Sequence, residues 1–327
     1  MDPLPQYTAR ESLPSPLQRI AILTDWGKQI GMGHRVRMGA LADACNTLFG
    51  SRIDFFQTTD EPADYSPYDL LILDSYLLSD ERIAKLHDEV KTLLCYDDNA
   101  LFTYDCDIIL NANPHASELT IRTSSPPPVL LLGGDFALLR EQFWNTEPID
   151  VKVTASRAFV CFGGTDLNCQ TRLVVEALQR ITGLQLSVVV GRDAPSYDEL
   201  VSTVDERVRV FRDPQSIAAI MQECDIAIIS SGSIVYEIAA LGIPALTIIQ
   251  AKNQEIVANY LSAKKLMRNL GYHDEVDCES IQHEANSLLL DYNRRKDESE
   301  KLNSLVNRKG ALNAAAEIAR IMHESSR

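Results

Sequence analysis

The sequence predicts an α/β protein with two Rossmann-like domains that face a cleft, and three observations lead to this fold class. The chain has 327 residues, a length that favours two domains with a core each. Short β-branched or leucine-rich runs alternate with helix-length segments, as in parallel sheets buried on both faces. A polar, aperiodic stretch, Trp144–Ser156, separates two such series. We therefore expect an N-terminal domain over 18–150 and a C-terminal domain over 151–327, its last helix a candidate to pack back on the first domain.

The first series opens after a Pro-rich polar segment, 1–17, which is typical of a disordered leader and not of a signal peptide. Three consecutive prolines, Pro126 to Pro128, form a stiff connector into the last strand of this half. Helices are predicted over His34–Leu48 and Asp80–Glu89. The predicted strands are Ile20–Thr24, Ile53–Gln57, Leu70–Asp74, Thr92–Tyr96, Ile108–Asn111 and Val129–Leu132.

The second series repeats the alternation. Its one stretch with the hydrophobicity of a membrane span, Ile226–Ile249, contains Glu237 and a Gly242/Pro244 break, so it predicts strand, helix and strand. The predicted strands are Ala158–Phe162, Leu186–Val190, Val208–Phe211, Ile226–Ile229 and Ala245–Ile249, and the helices Cys169–Ile181, Gln215–Glu223, Ser233–Leu241 and Gln254–Leu261.

Charge excludes two classes of partner. The formal net charge is −15; residues 1–150 carry 11 Lys and Arg against 23 Asp and Glu, and residues 151–327 carry 20 against 23. Nucleic acid and anionic membranes need clustered basic residues, so neither is an expected partner. The seven cysteines form no CxxC and no Cys/His cluster, which favours small buried residues in a reducing compartment over zinc or disulfides. We expect a cytoplasmic protein.

The loop after the first strand is the first candidate for chemistry, because ligands of such sheets bind at the carboxyl ends of the strands. Gly31 and Gly33 allow close backbone approach, and His34 opens the next helix, whose free N–H groups suit an anion. A helix N-terminus lowers the pKa of an imidazole and favours a general base, although position alone equally allows His34 a non-catalytic polar role. The motif lacks the full GxGxxG, which argues against a dinucleotide cofactor.

Two further loops follow strands of the same half. Asp74 and Tyr76 could orient a sugar through hydrogen bonds; alternatively, Asp74 caps the next helix and Tyr76 packs the loop. Asp97 and Asp98 suggest a metal, but adjacent carboxylates on a strand point to opposite sides, so we expect no metal site there.

In the second half, small residues follow two strands. Gly163-Gly164-Thr165-Asp166 and Ser230-Ser231-Gly232-Ser233 both precede helices, a pattern suited to cradling phosphates. Glu237 lies one turn after Ser233, where a carboxylate could accept both ribose hydroxyls; its apolar neighbours disfavour an exposed helix Glu. Lys252-Asn253-Gln254 brings amides to the cleft edge.

At these residues the sequence resembles the nucleotide-sugar hydrolases of pseudaminic acid biosynthesis, which remove UDP from UDP-2,4-diacetamido-2,4,6-trideoxy-β-L-altropyranose. These enzymes are distant relatives of MurG-type glycosyltransferases with the two-domain GT-B fold. The resemblance is carried by Ile30-Gly31-Met32-Gly33-His34 with Arg37, Leu73-Asp74-Ser75-Tyr76, Tyr96-Asp97-Asp98, Cys106–Asn111, Phe136–Phe143, Phe162–Asp166 and Lys252-Asn253-Gln254-Glu255.

The resemblance implies roles for single residues. His34 matches the catalytic histidine that deprotonates water for attack on the anomeric carbon with inversion, and Tyr76 and Asn253 match the substrate-contacting tyrosine and asparagine. It implies no metal and no cofactor. The other candidates on the sugar side are Gly33, Arg37, Asp74 and Gln254, and those on the UDP side are Gly163, Gly164, Thr165, Ser231, Gly232, Ser233 and Glu237.

Two other functions stay open at this point. A glycosyltransferase could use the same UDP pocket with a different acceptor, although a lipid-linked acceptor would call for a basic, apolar face where residues 1–150 are acidic. A catalytically silent UDP-sugar binding protein would have no need of an ionisable His34. The leading hypothesis is a metal-independent UDP-sugar hydrolase that acts as a monomer on a UDP-diacetamido sugar. The departure at Ser230–Ser233, where many relatives have Gly-Gly-Ser, affects the identity of the sugar more than the reaction class.

Overall fold

A computed structural model describes residues 17–27, 30–62, 64–166, 168–192, 194 and 197–325. They form two six-stranded parallel sheets in tandem, which confirms the expected fold class. The proposed leader lies outside the described residues except for Leu17, which is fully buried in the N-terminal core.

The N-terminal sheet has the strand order β2-β1-β3-β4-β6-β8, and all neighbours are parallel. This order reverses between β1 and β3, as in flavodoxin-like sheets. Its elements are β1 (Arg19–Thr24), α1 (Gly33–Phe49), β2 (Arg52–Phe56), β3 (Leu70–Asp74), α2 (Asp80–Glu89), β4 (Leu93–Tyr96), β5 (Thr103–Tyr104), β6 (Ile108–Asn111), β7 (Arg122–Thr123) and β8 (Val129–Leu132), of which β5 and β7 pair apart from the main sheet.

The C-terminal sheet has the order β11-β10-β9-β12-β13-β14, the dinucleotide-fold order, and reverses between β9 and β12. Its elements are β9 (Arg157–Cys161), α3 (Gln170–Gln179), β10 (Gln185–Val190), α4 (Tyr197–Thr203), β11 (Val208–Arg212), α5 (Ile217–Gln222), β12 (Ile226–Ser230), α6 (Ile234–Leu241), β13 (Ala245–Ile249), α7 (Glu255–Ala263), β14 (Arg268–Tyr272), α8 (Cys278–Leu290), α9 (Tyr292–Asn303) and α10 (Gly310–Ser325).

Strand residues alternate between two cores. On β9, Phe159 and Cys161 face one hydrophobic cluster, and Ala158 and Val160 face the other. Because both faces of the central strands are covered, such strands read as continuous apolar runs, and this made them recognisable in the sequence. The predicted strands occur within one residue, and the predicted helices within two residues, of their bounds in the structure.

The connection between the sheets packs into both domains. Leu139 and Phe143 belong to the C-terminal core, whereas Trp144 belongs to the N-terminal core. The last helix, α10, returns to the N-terminal domain, where Ala315 and Ile318 share a core with residues of α1. The connecting segment thus contributes side chains to both cores, and α10 attaches the C-terminal end of the described chain to the N-terminal domain.

Some elements and environments differ from the expectations. The sequence did not predict β14, an edge strand whose residues are exposed or half-buried and which therefore lacks an apolar run. The helices α4, α8 and α9 and the short β5–β7 pair were not predicted either. Five cysteines are buried as expected, but Cys169 is exposed and Cys278 half-buried; all seven are free. Among the described residues, no helix combines the length and hydrophobicity needed to cross a membrane.

Candidate active site

The loops from the two strand-order reversals meet across the cleft. In the N-terminal sheet, Thr24 pairs with Asp74 at the carboxyl ends of β1 and β3. In the C-terminal sheet, β9 and β12 are neighbours, so the loops that follow them lie side by side. A β-carbon placed on Gly33 would lie 3.8 Å from Ser233 Oγ, and one placed on Gly164 would lie 3.1 Å from Met32 Cγ. Both reversal points therefore border one site.

His34 and Asp74 form a buried pair on the N-terminal side. His34 is the second residue of α1, and its Nδ1 lies 2.8 Å from Asp74 Oδ1. The ionised Asp74 carboxylate can only accept, so we assign the hydrogen to Nδ1, which donates it to Asp74. Arg37 Nη2 lies 3.1 Å from the same nitrogen and donates to Asp74 Oδ1. In a neutral imidazole this tautomer leaves Nε2 unprotonated and able to accept a proton.

Arg37 holds Asp74 in place. Its Nε donates to Asp74 Oδ2 at 2.7 Å and its Nη1 to Asp98 Oδ2 at 2.8 Å. Burial by itself would raise the pKa of the Asp74 carboxyl, but Arg37 and His34 hold that pKa well below its usual range. The guanidinium also lies over the Tyr96 ring, 4.2 Å from its centroid. Asp74 is therefore a carboxylate at neutral pH and is held in contact with His34 Nδ1.

Tyr76 completes the N-terminal side. Its hydroxyl donates to Asp98 Oδ2 at 2.6 Å, and its ring packs edge-on against His34 with 4.6 Å between ring centroids. Burial and the neighbouring Asp98 raise the pKa of Tyr76, and Arg37 and Asn253, the latter from the other domain, oppose this rise only in part. The loop-packing alternative for Tyr76 thus accounts for only part of its contacts.

The alternative in which Asp74 caps the next helix is wrong. Ser79 is the N-cap of α2 and accepts a hydrogen bond from Arg82 N at 3.2 Å. Asp74 lies at the end of β3, where its side chain turns to α1.

Asp97 and Asp98 point apart, as the strand geometry predicts. Asp97 Oδ1 accepts from the amides of Asn99 and Ala100, at 3.1 Å and 2.7 Å, and closes a turn. Asp98 instead enters the Arg37 and Tyr76 network. Within the described part of the chain, no group of three His, Cys, Asp or Glu side chains has a metal-binding arrangement.

The glycine loop after β9 lies on the C-terminal side of the cleft. Gly163 is exposed and has a positive φ of 84°, which favours glycine, and Gly164 and Thr165 are half-buried. A β-carbon on Gly191, which follows β10, would lie 1.9 Å from the carbonyl oxygen of Gly164. Because Gly164 and Gly191 have no side chains, the loops after β9 and β10 can lie in contact, and the Gly163–Thr165 backbone stays accessible from the cleft.

The serine loop after β12 differs in detail from the expectation. Ser233 is half-buried and faces Gly33, and Gly232 lies beside Gln254 Nε2, at 3.3 Å from an added β-carbon. Ser231, by contrast, is fully buried, and its amide donates to Ile248 O. The Ser231 Oγ is buried and has no hydrogen-bond partner among the described residues, so its part in the UDP site stays a prediction.

Glu237 is buried and already paired. Both of its carboxylate oxygens accept from Arg140, each at 2.8 Å. Burial raises the pKa of Glu237, and Arg140 opposes this rise only in part. Gln254, at the cleft edge, accepts from Gln250 N at 3.0 Å, which fixes its amide next to Gly232.

Several residues of the site went unassigned in the sequence. Asp98 was considered only as a metal ligand, although its place at the carboxyl end of β4 was a usable signal. Asn113 and Tyr236 link the domains, since the Tyr236 hydroxyl donates to Asn113 Oδ1. Arg140, which pairs with Glu237, belongs to the connection between the domains and does not follow a strand, so its position in the sequence does not indicate a site.

The fold and the paired loops define a class: this is a protein of the GT-B fold. The structure of MurG from Acinetobacter baumannii matches 93% of this chain and 99% of its own with a TM-score of 0.60 at 11% identity. The spinosyn rhamnosyltransferase SpnG, complexed with thymidine diphosphate, matches 92% of this chain and 100% of its own with a TM-score of 0.61 at 14% identity. At such identities the likeness shows the fold alone.

In sequence, the chain is similar to a particular enzyme. The UDP-2,4-diacetamido-2,4,6-trideoxy-beta-L-altropyranose hydrolase of Campylobacter jejuni is 29% identical over 270 residues, which covers 75% of this chain and 97% of the hydrolase. The resemblance to this hydrolase family is thereby confirmed. No family model matches the sequence.

Proposed function

We propose that this protein is a nucleotide-sugar hydrolase that releases UDP from a UDP-2,4-diacetamido-2,4,6-trideoxyhexose in pseudaminic acid biosynthesis. The observation that carries the proposal is the His34–Asp74 pair, with Nδ1 held at 2.8 Å by a carboxylate, at the mouth of a cleft of the GT-B fold. Support for the substrate comes from the similarity to the Campylobacter jejuni hydrolase.

His34 acts as the base in this proposal. Its unprotonated Nε2 accepts a proton from water as the water attacks the anomeric carbon. Asp74 stabilises the imidazolium that results, and Arg37 keeps Asp74 ionised and oriented. Water enters opposite the departing diphosphate, so the sugar leaves with inverted configuration. A catalytically silent binding protein would not need this buried and costly arrangement of charges.

The C-terminal loops hold the nucleotide. The backbone of Gly163, Gly164 and Thr165 and the N-terminus of α6, with Gly232 and Ser233, offer N–H groups and a hydroxyl to the diphosphate. These groups also stabilise the charge that develops on UDP as it leaves, which is the role that we assign to them in place of a metal. Activity that disappears with EDTA and returns with Mg²⁺ would contradict this assignment.

Glu237 is our candidate for the ribose hydroxyls. Arg140 orients its carboxylate, and the lone pairs that Arg140 leaves free are the ones a ribose would use. Glu237→Gln, which keeps the size of the side chain, should raise the UDP dissociation constant. An unchanged constant would remove Glu237 from the ribose site.

Isotope labelling tests the reaction. The protein is incubated with UDP-diacetamido sugars in ¹⁸O-labelled water, and both products are analysed by mass spectrometry. Label in the sugar supports attack at the anomeric carbon, whereas label in UDP indicates attack at phosphorus. Rapid turnover only after addition of a sugar or lipid acceptor would instead favour a glycosyltransferase.

A further inference from the structure

Asp98 joins two side chains of the N-terminal face, Arg37 and Tyr76. Its Oδ2 accepts from Arg37 Nη1 at 2.8 Å and from the Tyr76 hydroxyl at 2.6 Å, and its Oδ1 accepts from Asn99 Nδ2 at 2.8 Å. Arg37 in turn contacts Asp74 and His34, and Tyr76 lies near Asn253 of the other domain. The side chain of Asp98 is only 14% exposed, so these contacts satisfy most of its lone pairs.

We propose that Asp98 is a positioning residue that fixes Arg37 and Tyr76 together and thereby makes the Tyr76 hydroxyl a hydrogen-bond acceptor toward the sugar. This inference deepens the proposed function and rests on it for the identity of the sugar.

The acceptor role of Tyr76 follows from the number of its hydrogens and lone pairs. A phenol has one hydrogen, and the 2.6 Å bond to the Asp98 carboxylate uses it. Asn99 Nδ2, at 3.3 Å, can then only donate to the phenolic oxygen, and one lone pair of that oxygen remains for the substrate. A substrate group that reaches Tyr76 must likewise bring a donor. The N–H of an acetamido substituent or a sugar hydroxyl meets this condition, and a carbonyl or ether oxygen does not.

The same carboxylate also affects the base. Arg37 lies between Asp74 and Asp98 and is 13% exposed, so its position depends on both partners. Without Asp98, Arg37 would keep its bonds to Asp74 but lose the anchor at Nη1. Because Asp74 remains as a partner, the variant should fold while the His34–Asp74 pair becomes less well oriented.

The experiment compares Asp98→Ala, Asp98→Asn and, as a charge-matched control, Asp88→Ala, which removes an exposed carboxylate of α2. We measure kcat and KM with the UDP-diacetamido sugar, inhibition by UDP, and the melting temperature. Asp98→Ala should lower kcat/KM by roughly 10-fold to 100-fold, the usual effect of losing charged hydrogen bonds, with most of the loss in kcat. Asp98→Asn keeps an acceptor oxygen and should fall between Asp98→Ala and the native protein. Inhibition by UDP should change less than about twofold, because UDP lies against the other domain.

A double-mutant cycle with Tyr76→Phe tests whether Asp98 acts through the tyrosine. The losses of Asp98→Ala and Tyr76→Phe should be less than additive when combined, since each removes the same oriented hydroxyl. Strictly additive losses, unchanged kcat/KM in Asp98→Ala, or an equal weakening of UDP inhibition would overturn the proposal. If the native protein does not hydrolyse the sugar nucleotide, the proposed function fails by itself. Calorimetric binding then decides on Asp98, which should strengthen binding of the UDP-sugar and not of UDP.

Discussion

The two faces of the cleft carry different chemical groups. The N-terminal face is a buried network of ionised side chains, in which Arg37 joins Asp74 to Asp98. The C-terminal face is made of glycines, serines and a helix N-terminus, and its buried Glu237 is neutralised by Arg140. One face can move and stabilise a proton, and the other can hold an anion through backbone groups. This division explains how an acidic chain can suit a diphosphate: the anion would contact local N–H groups rather than a basic surface.

The largest effect is expected from removing the proposed base of the N-terminal face. His34→Asn should lower kcat by roughly 10²-fold to 10⁴-fold, the usual contribution of a general base, and leave UDP affinity nearly unchanged because the UDP contacts that we propose lie on the other face. Turnover and UDP binding by calorimetry are the measurements. His283→Asn, at an exposed position on α8, is the control. Native turnover in His34→Asn would assign the proton transfer to another group.

The second test asks how much the N-terminal network stabilises the fold. Asp74→Asn leaves Arg37 with one carboxylate and should lower the free energy of unfolding by about 3 kcal/mol, the range for breaking a buried ion pair. Urea unfolding at pH 7 measures the loss. A change below about 0.5 kcal/mol would show that the pair contributes geometry and no stability.

The pH dependence of this loss carries a definite sign. The pKa of Asp74 is depressed in the folded protein, so its contribution is fully present above about pH 4, the ordinary value for an unfolded Asp, and is lost as pH falls toward the folded pKa. The difference in unfolding free energy between the native protein and Asp74→Asn should therefore shrink between pH 4 and pH 2. Urea titrations at each pH test this, and a difference that grows in acid would contradict it.

The C-terminal face should respond to backbone changes more than to charge. Gly191→Ala would bring a β-carbon to 1.9 Å from Gly164 O, so the glycine loop must shift. We expect UDP affinity to fall about 10-fold, comparable to losing one or two hydrogen bonds, while kcat at saturation changes less. Gly39→Ala, where the added carbon meets only the tip of Arg35 at 3.3 Å, is the control. Unchanged UDP affinity in Gly191→Ala would argue that this loop does not contact the nucleotide.

The strands and their ends could be predicted from the sequence, whereas the side-chain pairs of the site could not. The strands next to the cleft are apolar runs that could be recognised in the sequence, and the structure has His34, Asp74 and the glycine and serine loops at or just after their carboxyl ends. Side-chain pairing could not be predicted, because it depends on contacts distant in sequence. Examples are Arg37 with Asp98, 61 residues apart, and Arg140 with Glu237, 97 residues apart. The orientation of Ser231 could not be predicted either, because the sequence of a loop does not determine which of its hydroxyl side chains is buried.

The smallest expected effect concerns the contact between the faces. The half-buried Tyr236, on α6 between Ser233 and Glu237, donates to Asn113, whose own Nδ2 donates to Asp98 O at 3.0 Å. Tyr236→Phe removes one hydrogen bond, worth about 1 kcal/mol, and should raise KM for the sugar nucleotide about fivefold without changing kcat. Tyr292→Phe, on α9, is the control. If kcat falls together with KM, the hydroxyl of Tyr236 must also orient the loop that carries Asp98, and the two faces would then act as one unit during the reaction.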